Sequence, residues 1–458
     1  MRRIDSLLLA VLVIARIRID TLAEAAVLPL RQNDVAGHPL LGRLLPPDAM
    51  ALLAQQQLVD PLALLLIFAA LGSLLIYLLV DEFVRDGTQR HRAKMLLISL
   101  IIALTVFLPS LKLVLLRQES GLASYSHDGG VIQTEATIDY LLAGRNPYVE
   151  DYLSTPMAEW GIDEFRTALY HYPYLPWTFI FSAPFKLASE AILGWYDQRL
   201  VYLLLFAMTL ALLPALARDR TRALLLLMLT GLNPIMGSDL IYGQNDSFVL
   251  AWIVLSLWLW VRGEGRGRAW RLASAAAFGL ACASKPTAWF LVPFYLVWIA
   301  GPGHKDARAW LGDAVRVAWP ALAAALLVIA PYFLWDPGAL IDDVWRWSAG
   351  TSDTAYQIWG WGGSNLVLAL GWVRSRFDVW PFWLAELLVG APVMAGLLWR
   401  QWHDNALGRA LWSYALFLFS FFFVSRFLNE NYLGYILAFL VLGALVVGDS
   451  GERTTSQG

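Results

Sequence analysis

Three carboxylates, Asp128, Glu135 and Asp139, fall in one polar run, "SYSHDGGVIQTEATIDYLLAGRNPYVEDY", of an otherwise apolar chain. Residues i and i+7 lie almost two helical turns apart, so a helix through this run brings all three near one face. Val131, Ile132, Ala136, Ile138, Leu141 and Leu142 supply an apolar face, and Gly144 and Pro147 read as its stop. A carboxylate row over a cleft suits proton removal from an attacking hydroxyl, for which Asp128 and Glu135 are the candidates. The plainer uses are a helix cap for Asp128 and solvated charge for the others. The residues alone leave both open.

Cations of complementary chemistry lie far along the chain. Lys285 in "SKPTAWF" and Arg426 in "SRFLNENY" each end an apolar run. Each suits a phosphate, and Arg–phosphate pairing is geometrically specific. Each also reads as an interfacial anchor. Lys285 precedes a proline between two short runs, and broken helices in membranes are tolerated where they line a polar cavity. His171, in "YHYPYLPW", is a third candidate for holding an anion. The tip "YGQND" presents Gln244, Asn245 and Asp246, either to sugar hydroxyls or as a plain polar turn. His127, Tyr172, Asn429, Glu430, Asn431 and Tyr432 complete the set of polar and aromatic groups for a sugar or acceptor. There is no P-loop, GxGxxG, HExxH or Cys/His cluster, so no cofactor or metal ligand set is assigned. A divalent cation held by outer acids stays open.

The elements that must carry these residues are membrane helices. Of 458 residues 58% are hydrophobic and 15% charged, well below the roughly 25% charged of a soluble domain. The mean hydropathy is +0.56. "PLALLLIFAALGSLLIYLLV" (61–80) has no charge, and 95–116 has only Lys112, near enough its end to snorkel. Such runs match a ~30 Å hydrocarbon core. The expected fold is an all-α integral membrane protein of roughly 10–13 transmembrane helices with amphipathic extracytoplasmic helices. Runs at 173–187 and 272–300 are short and read as broken or re-entrant, whereas 223–241 reads as one span. Strand-like alternation is weak, which argues against a barrel. The N-terminus reads as a retained, short or interfacial helix. The chain divides into an N-terminal region 1–94, a core 95–448 with outer loops 117–172 and 335–378, and a polar tail 449–458. A net charge of −2 disfavours nucleic acid, and one cysteine precludes an intrachain disulfide.

Short loops rich in Lys and Arg, such as 81–94 and 262–271, are cytoplasmic by the positive-inside rule. The region 117–172, with nine acids against three arginines, then falls outside. The unusual motifs share that face, as does a tryptophan-rich stretch from Trp335 to about Asp378.

The ordered set of an Asp early in the first outer loop, "LLAGRNPY", "YPYLP", "YGQND" and "SKPTAWFLVPF" resembles the GT-C class of polytopic glycosyltransferases. It is most similar to the mannosyltransferase-type members of glycosyltransferase family 87, over roughly residues 95–440. The resemblance implies a polyprenyl-phosphate sugar donor used on the extracytoplasmic side of the cell membrane. The acceptor would be a glycan or glycolipid. The usual catalytic base of the first outer loop matches Asp128. His127 before it and the additional N-terminal region, residues 1–94, depart from the pattern. The expected reaction is a single inverting displacement of a hexose, mannose favoured. A transporter or flippase of a lipid-linked saccharide is the alternative; clean span centres and no convincing repeat disfavour it.

Overall fold

The computed structural model describes residues 3–159, 163–301 and 307–446; the tail 449–458 lies outside these, and the side chains of Asp128, residues 163–165, Ala307 and Ala309 lie outside the described set. The chain is helical almost throughout. Among the described residues seven helices are long and apolar enough to cross a membrane, or eight if one bent pair counts as a span. This is fewer than the roughly 10–13 expected from apolar runs, because several runs fold as shorter helices such as Pro286–Ala300 and Glu430–Leu445.

Breaks have local causes. The run read as one span, 223–241, is two helices, Arg220–Gly231 and Pro234–Tyr242, bent by 48°. Pro234 cannot donate to the preceding turn. The Asn233 side chain then caps the second helix, accepting from the N–H groups of Ile235 and Met236, while its amide donates to the Gly434 carbonyl at 2.8 Å. By contrast 173–187, expected to be broken, forms one helix, Trp177–Leu193, with Pro184 inside it.

Burial sorts the spans. Asp246–Gly263 is 67% buried and central, whereas Phe382–His403 is 11% buried and turns its side chains outward, as a lipid-facing helix does. The first helix, Ile4–Ala25, packs Leu9 and Val13 into the main core. Its Arg16 is buried, is paired with Asp20, and donates to the Pro234 carbonyl and Ser238 Oγ, each at 3.0 Å. The N-terminal helix thus braces the broken span.

Lys112 does not snorkel. It is buried against Asp60 and within 3.5 Å of Glu24, which also takes Arg31 at 2.9 Å. Two acids brought in by residues 24–60 make burial of the ammonium tolerable. The expected outer region 335–378 includes a two-residue strand, Trp359–Gly360, parallel to Phe427–Leu428. Nothing in the alternation of side chains announced so short a pairing.

Candidate active site

The acidic run begins with a π-helical turn, Asp128–Gln133, continuing as the helix Thr134–Leu142. Such turns are rare and recur at functional sites. Two glycines explain its placement. A side chain on Gly130 would lie 1.9 Å from the Gly243 carbonyl oxygen, and one on Gly243, at φ +95°, would meet Val131 at 2.1 Å. The "HDGG" and "YGQND" backbones therefore touch. The His127 N–H donates to the Tyr242 carbonyl at 2.7 Å, and its Nε2 lies 2.7 Å from Gln244 Nε2.

A second pair of motifs docks the same way. The N–H groups of Leu175 and Trp177 in "YPYLPW" donate to the carbonyls of Ser284 and Ala283, each at 3.0 Å. This holds Lys285 between two rings, 5.6 Å from the centre of Tyr174 and 5.0 Å from that of Tyr432. Its ammonium donates to Asp246 at 2.7 Å and to Asn245 at 3.2 Å. Asp246 also accepts from Asn431.

Arg426 is 2% exposed. It donates to the backbone carbonyls of Tyr356 at 2.6 Å, Asp378 at 2.9 Å and Arg376 at 3.3 Å. Among the described residues no carboxylate pairs with it. Burial pushes its guanidinium down to about 10, with the nearby Asp378 charge opposing, so it stays cationic at neutral pH.

One cavity of about 1000 Å³ gathers these groups. His127 and Gly129, the neighbours of Asp128, line it together with Gln244, Lys285, Arg426, Asn429, Glu430, Asn431 and Tyr432. Ile19 and Ala23 of the first helix form part of its wall. Aromatic side chains, including Trp347, Tyr356, Trp359 and Phe422, also line it.

Other expected residues lie elsewhere. Glu135 does not line the cavity. Its carboxylate takes both Arg117 nitrogens, at 2.9 and 2.7 Å, and the Gln198 N–H at 2.8 Å. Arg117 also holds Asp197 at 2.9 Å, and burial of Asp197 is outweighed by Arg199 and Arg117, which keep its carboxyl below the usual range. Glu135 is therefore a tie between the acidic run and the loop before residue 199. Asp139 pairs with Lys186 at the surface. Glu135 and Asp139 are thus each spent on a cation of another segment, Arg117 and Lys186, and do not face the cavity together.

His171 is buried away from the cavity, its Nδ1 2.8 Å from Asp343 and its Nε2 against Thr354. It ties residue 171 to the segment 343–354 and is not among the residues that line the cavity. Its ring, Asp342 and Asp343 are the described group close enough to share a metal ion, but their atoms are engaged with one another, with Ser352 and with the Tyr172 N–H. Tyr172 is fully buried; Tyr174 reaches the cavity instead. Asn245 and Asp246 do not line the cavity and instead accept from Lys285. The cavity also contains Asp239, Glu386 and Arg376, which sequence reasoning passed over. Asp239 stands four residues before a marked turn; an acid inside an apolar run is the signal that would have found it.

Residues 140–301 match the model of a family described as alpha-(1->6)-mannopyranosyltransferase, N-terminal domain. No curated protein matches the chain. The chain thus carries a mannosyltransferase-family domain within an all-α, multi-pass membrane architecture, as polytopic GT-C glycosyltransferases do.

Proposed function

We propose that this mannosyltransferase-family protein moves a mannosyl residue from a polyprenyl-phosphate donor to a glycan or glycolipid acceptor at the extracytoplasmic face. The observation that carries the reading is the shared cavity. Two buried cations, Lys285 and Arg426, and the two neighbours of Asp128 line the same space.

In this reading Asp128 accepts the proton of the acceptor hydroxyl as its oxygen attacks the anomeric carbon. The bond to the donor phosphate breaks and the phosphate leaves with the electron pair. Such a leaving group needs positive charge or donors more than a general acid. Lys285 supplies an ammonium already steered by Asp246 and two aromatic faces. Arg426 supplies a guanidinium whose charge no described carboxylate neutralises. Direct displacement inverts the anomeric centre. In this reading the donor's lipid tail stays in the bilayer and enters between helices, so no nucleotide motif is required.

The test uses purified protein, polyprenyl-phosphate mannose and a mannose-terminated acceptor. Asp128→Ala is expected to cut turnover by at least about a hundredfold, the usual worth of a general base, while the unfolding midpoint stays near that of the wild type. Wild-type turnover in that variant sinks the role of Asp128. Movement of the lipid-linked sugar into vesicles without transfer would point to a transporter.

A further inference from the structure

Among the described residues that line the cavity, Asp239 has a carboxylate oxygen that is shielded from solvent and unpartnered. Asp239 lies on the short helix Pro234–Tyr242 and lines the cavity beside Ser238, Tyr242, Gln244 and Lys285. Its backbone is fully engaged: the carbonyl accepts the N–H groups of Gly243 and Gln244, each at 2.7 Å, closing the turn after the helix. Its side chain is not. Oδ2 is shielded from solvent and takes no hydrogen bond from any described residue. The other acids of the region show the contrast. Asp246 holds Lys285 and Asn431, and Glu135 holds Arg117 and the Gln198 N–H.

Leaving a shielded carboxylate oxygen without a donor costs free energy that a water-exposed acid never incurs. The charges that act on Asp239 relieve it only in part: Lys285 and Arg16 attract it, but neither donates to it. Asp246 and Glu430 repel a second negative charge, Lys285 is already bound to Asp246, and Arg16 is taken up by Asp20, Ser238 and the Pro234 carbonyl. The position is nevertheless held rigidly. Asn233 caps the helix at one end, Arg16 grips it from the side, and Gly243 closes the other end.

We infer that Asp239 is a sugar-reading residue, whose carboxylate accepts hydrogen bonds from hydroxyls of the transferred hexose. This rests on the donor reading above, because Lys285 beside Asp239 is the proposed partner of the donor phosphate and the hexose is attached to that phosphate. Asp239 is half-buried, so the part of its carboxylate that faces the cavity can accept a hydroxyl, and a site built to accept a hydroxyl discriminates strongly against a sugar that lacks it. Asp239 would thus set which hexose is turned over, a role distinct from that of a base.

The experiment measures kcat/KM for wild type and Asp239→Asn with polyprenyl-phosphate mannose and each of its monodeoxy analogues. Loss of a hydrogen bond to a charged group is expected to cost the wild type about ten- to a hundredfold with one or two of the analogues. In Asp239→Asn the intact donor should show a similar loss, and those same analogues no substantial further loss. Losses that multiply at every position overturn the inference, as does an unchanged kcat/KM. An equal fall of kcat for all donors, with the ranking of analogues intact, would make Asp239 a member of the proton-transfer machinery instead. If the wild type uses no polyprenyl-phosphate hexose but accepts another donor, the reading beneath fails first and this one with it. Should Asp239→Asn not fold, Asp239→Glu keeps the charge but moves the oxygens and must reorder the analogues; an unchanged order overturns the assignment.

Discussion

At the scale of single residues, charge pairing separates two kinds of ionisable group. Lys285 is both a structural counterion of Asp246 and a wall of the cavity. Removing it alone leaves a buried carboxylate uncompensated, at a cost of about 3–5 kcal/mol. The double variant Lys285→Gln with Asp246→Asn removes both charges. It is expected to restore the unfolding midpoint toward wild type while donor turnover stays low; recovered turnover would leave Lys285 a purely structural role. His171 and Asp343 form a second buried pair, outside the cavity. Burial raises the Asp343 carboxyl to about 6, with His171 and the Tyr172 N–H opposing. The folded protein therefore holds this proton more tightly than the unfolded chain. That contribution to stability is present at low pH and is lost as pH rises from about 4 through about 6. The difference in unfolding midpoint between wild type and Asp343→Asn should change across that window; parallel curves would contradict it. Neither pair was legible in the sequence. Composition names the acids, but only the positions of their partners in the fold say which acid is already neutralised.

At the scale of elements, the site is assembled by turns pressed against turns. The π-turn Asp128–Gln133 reaches the Tyr242–Gln244 turn only because Gly130 and Gly243 have no side chains. Gly130→Ala places a methyl carbon 1.9 Å from the Gly243 carbonyl oxygen, so the turns must separate by roughly 1.5 Å or more to reach ordinary contact distance. We expect turnover to fall at least about tenfold, since small displacements of reacting groups cost that and more. Circular dichroism should still report the helical content. Wild-type turnover would show that the contact does not position Asp128. The run of acids was legible as a helix ending near Gly144, and the helix Thr134–Leu142 agrees. The π-turn that precedes it was not legible, because it depends on the close approach of residues 242–244 and not on the period of its own side chains. The first helix, expected to be retained and short or interfacial, spans Ile4–Ala25, and Arg16 and the cavity-lining Ile19 and Ala23 tie it to the site.

At the scale of the whole molecule, the positive-inside rule predicts an orientation from the basic loops, with the acidic region 117–172 outside. Cys282 is buried and is the only thiol, so single introduced cysteines report topology cleanly. Asp151→Cys, in the acidic outer region, should react with a membrane-impermeant maleimide in intact cells. Arg262→Cys, in a basic loop, should react only after permeabilisation. The reverse pattern would move the cavity to the cytoplasmic face and overturn the donor reading. What the sequence by itself determined follows from summed, short-range quantities. Apolar runs of membrane length make the protein all-α and membrane-embedded, and residues 140–301 match a mannosyltransferase family's N-terminal domain. Tertiary structure alone decided which of those motifs meet. "HDGG" rests on "YGQND", "YPYLP" rests on "SKP", and Lys285 and Arg426 open onto one space, whereas Glu135 and His171 are spent on ties between loops. The reason is physical: hydropathy and charge bias are properties of a segment, but the spare valence of a buried polar group depends on every neighbour the fold brings to it.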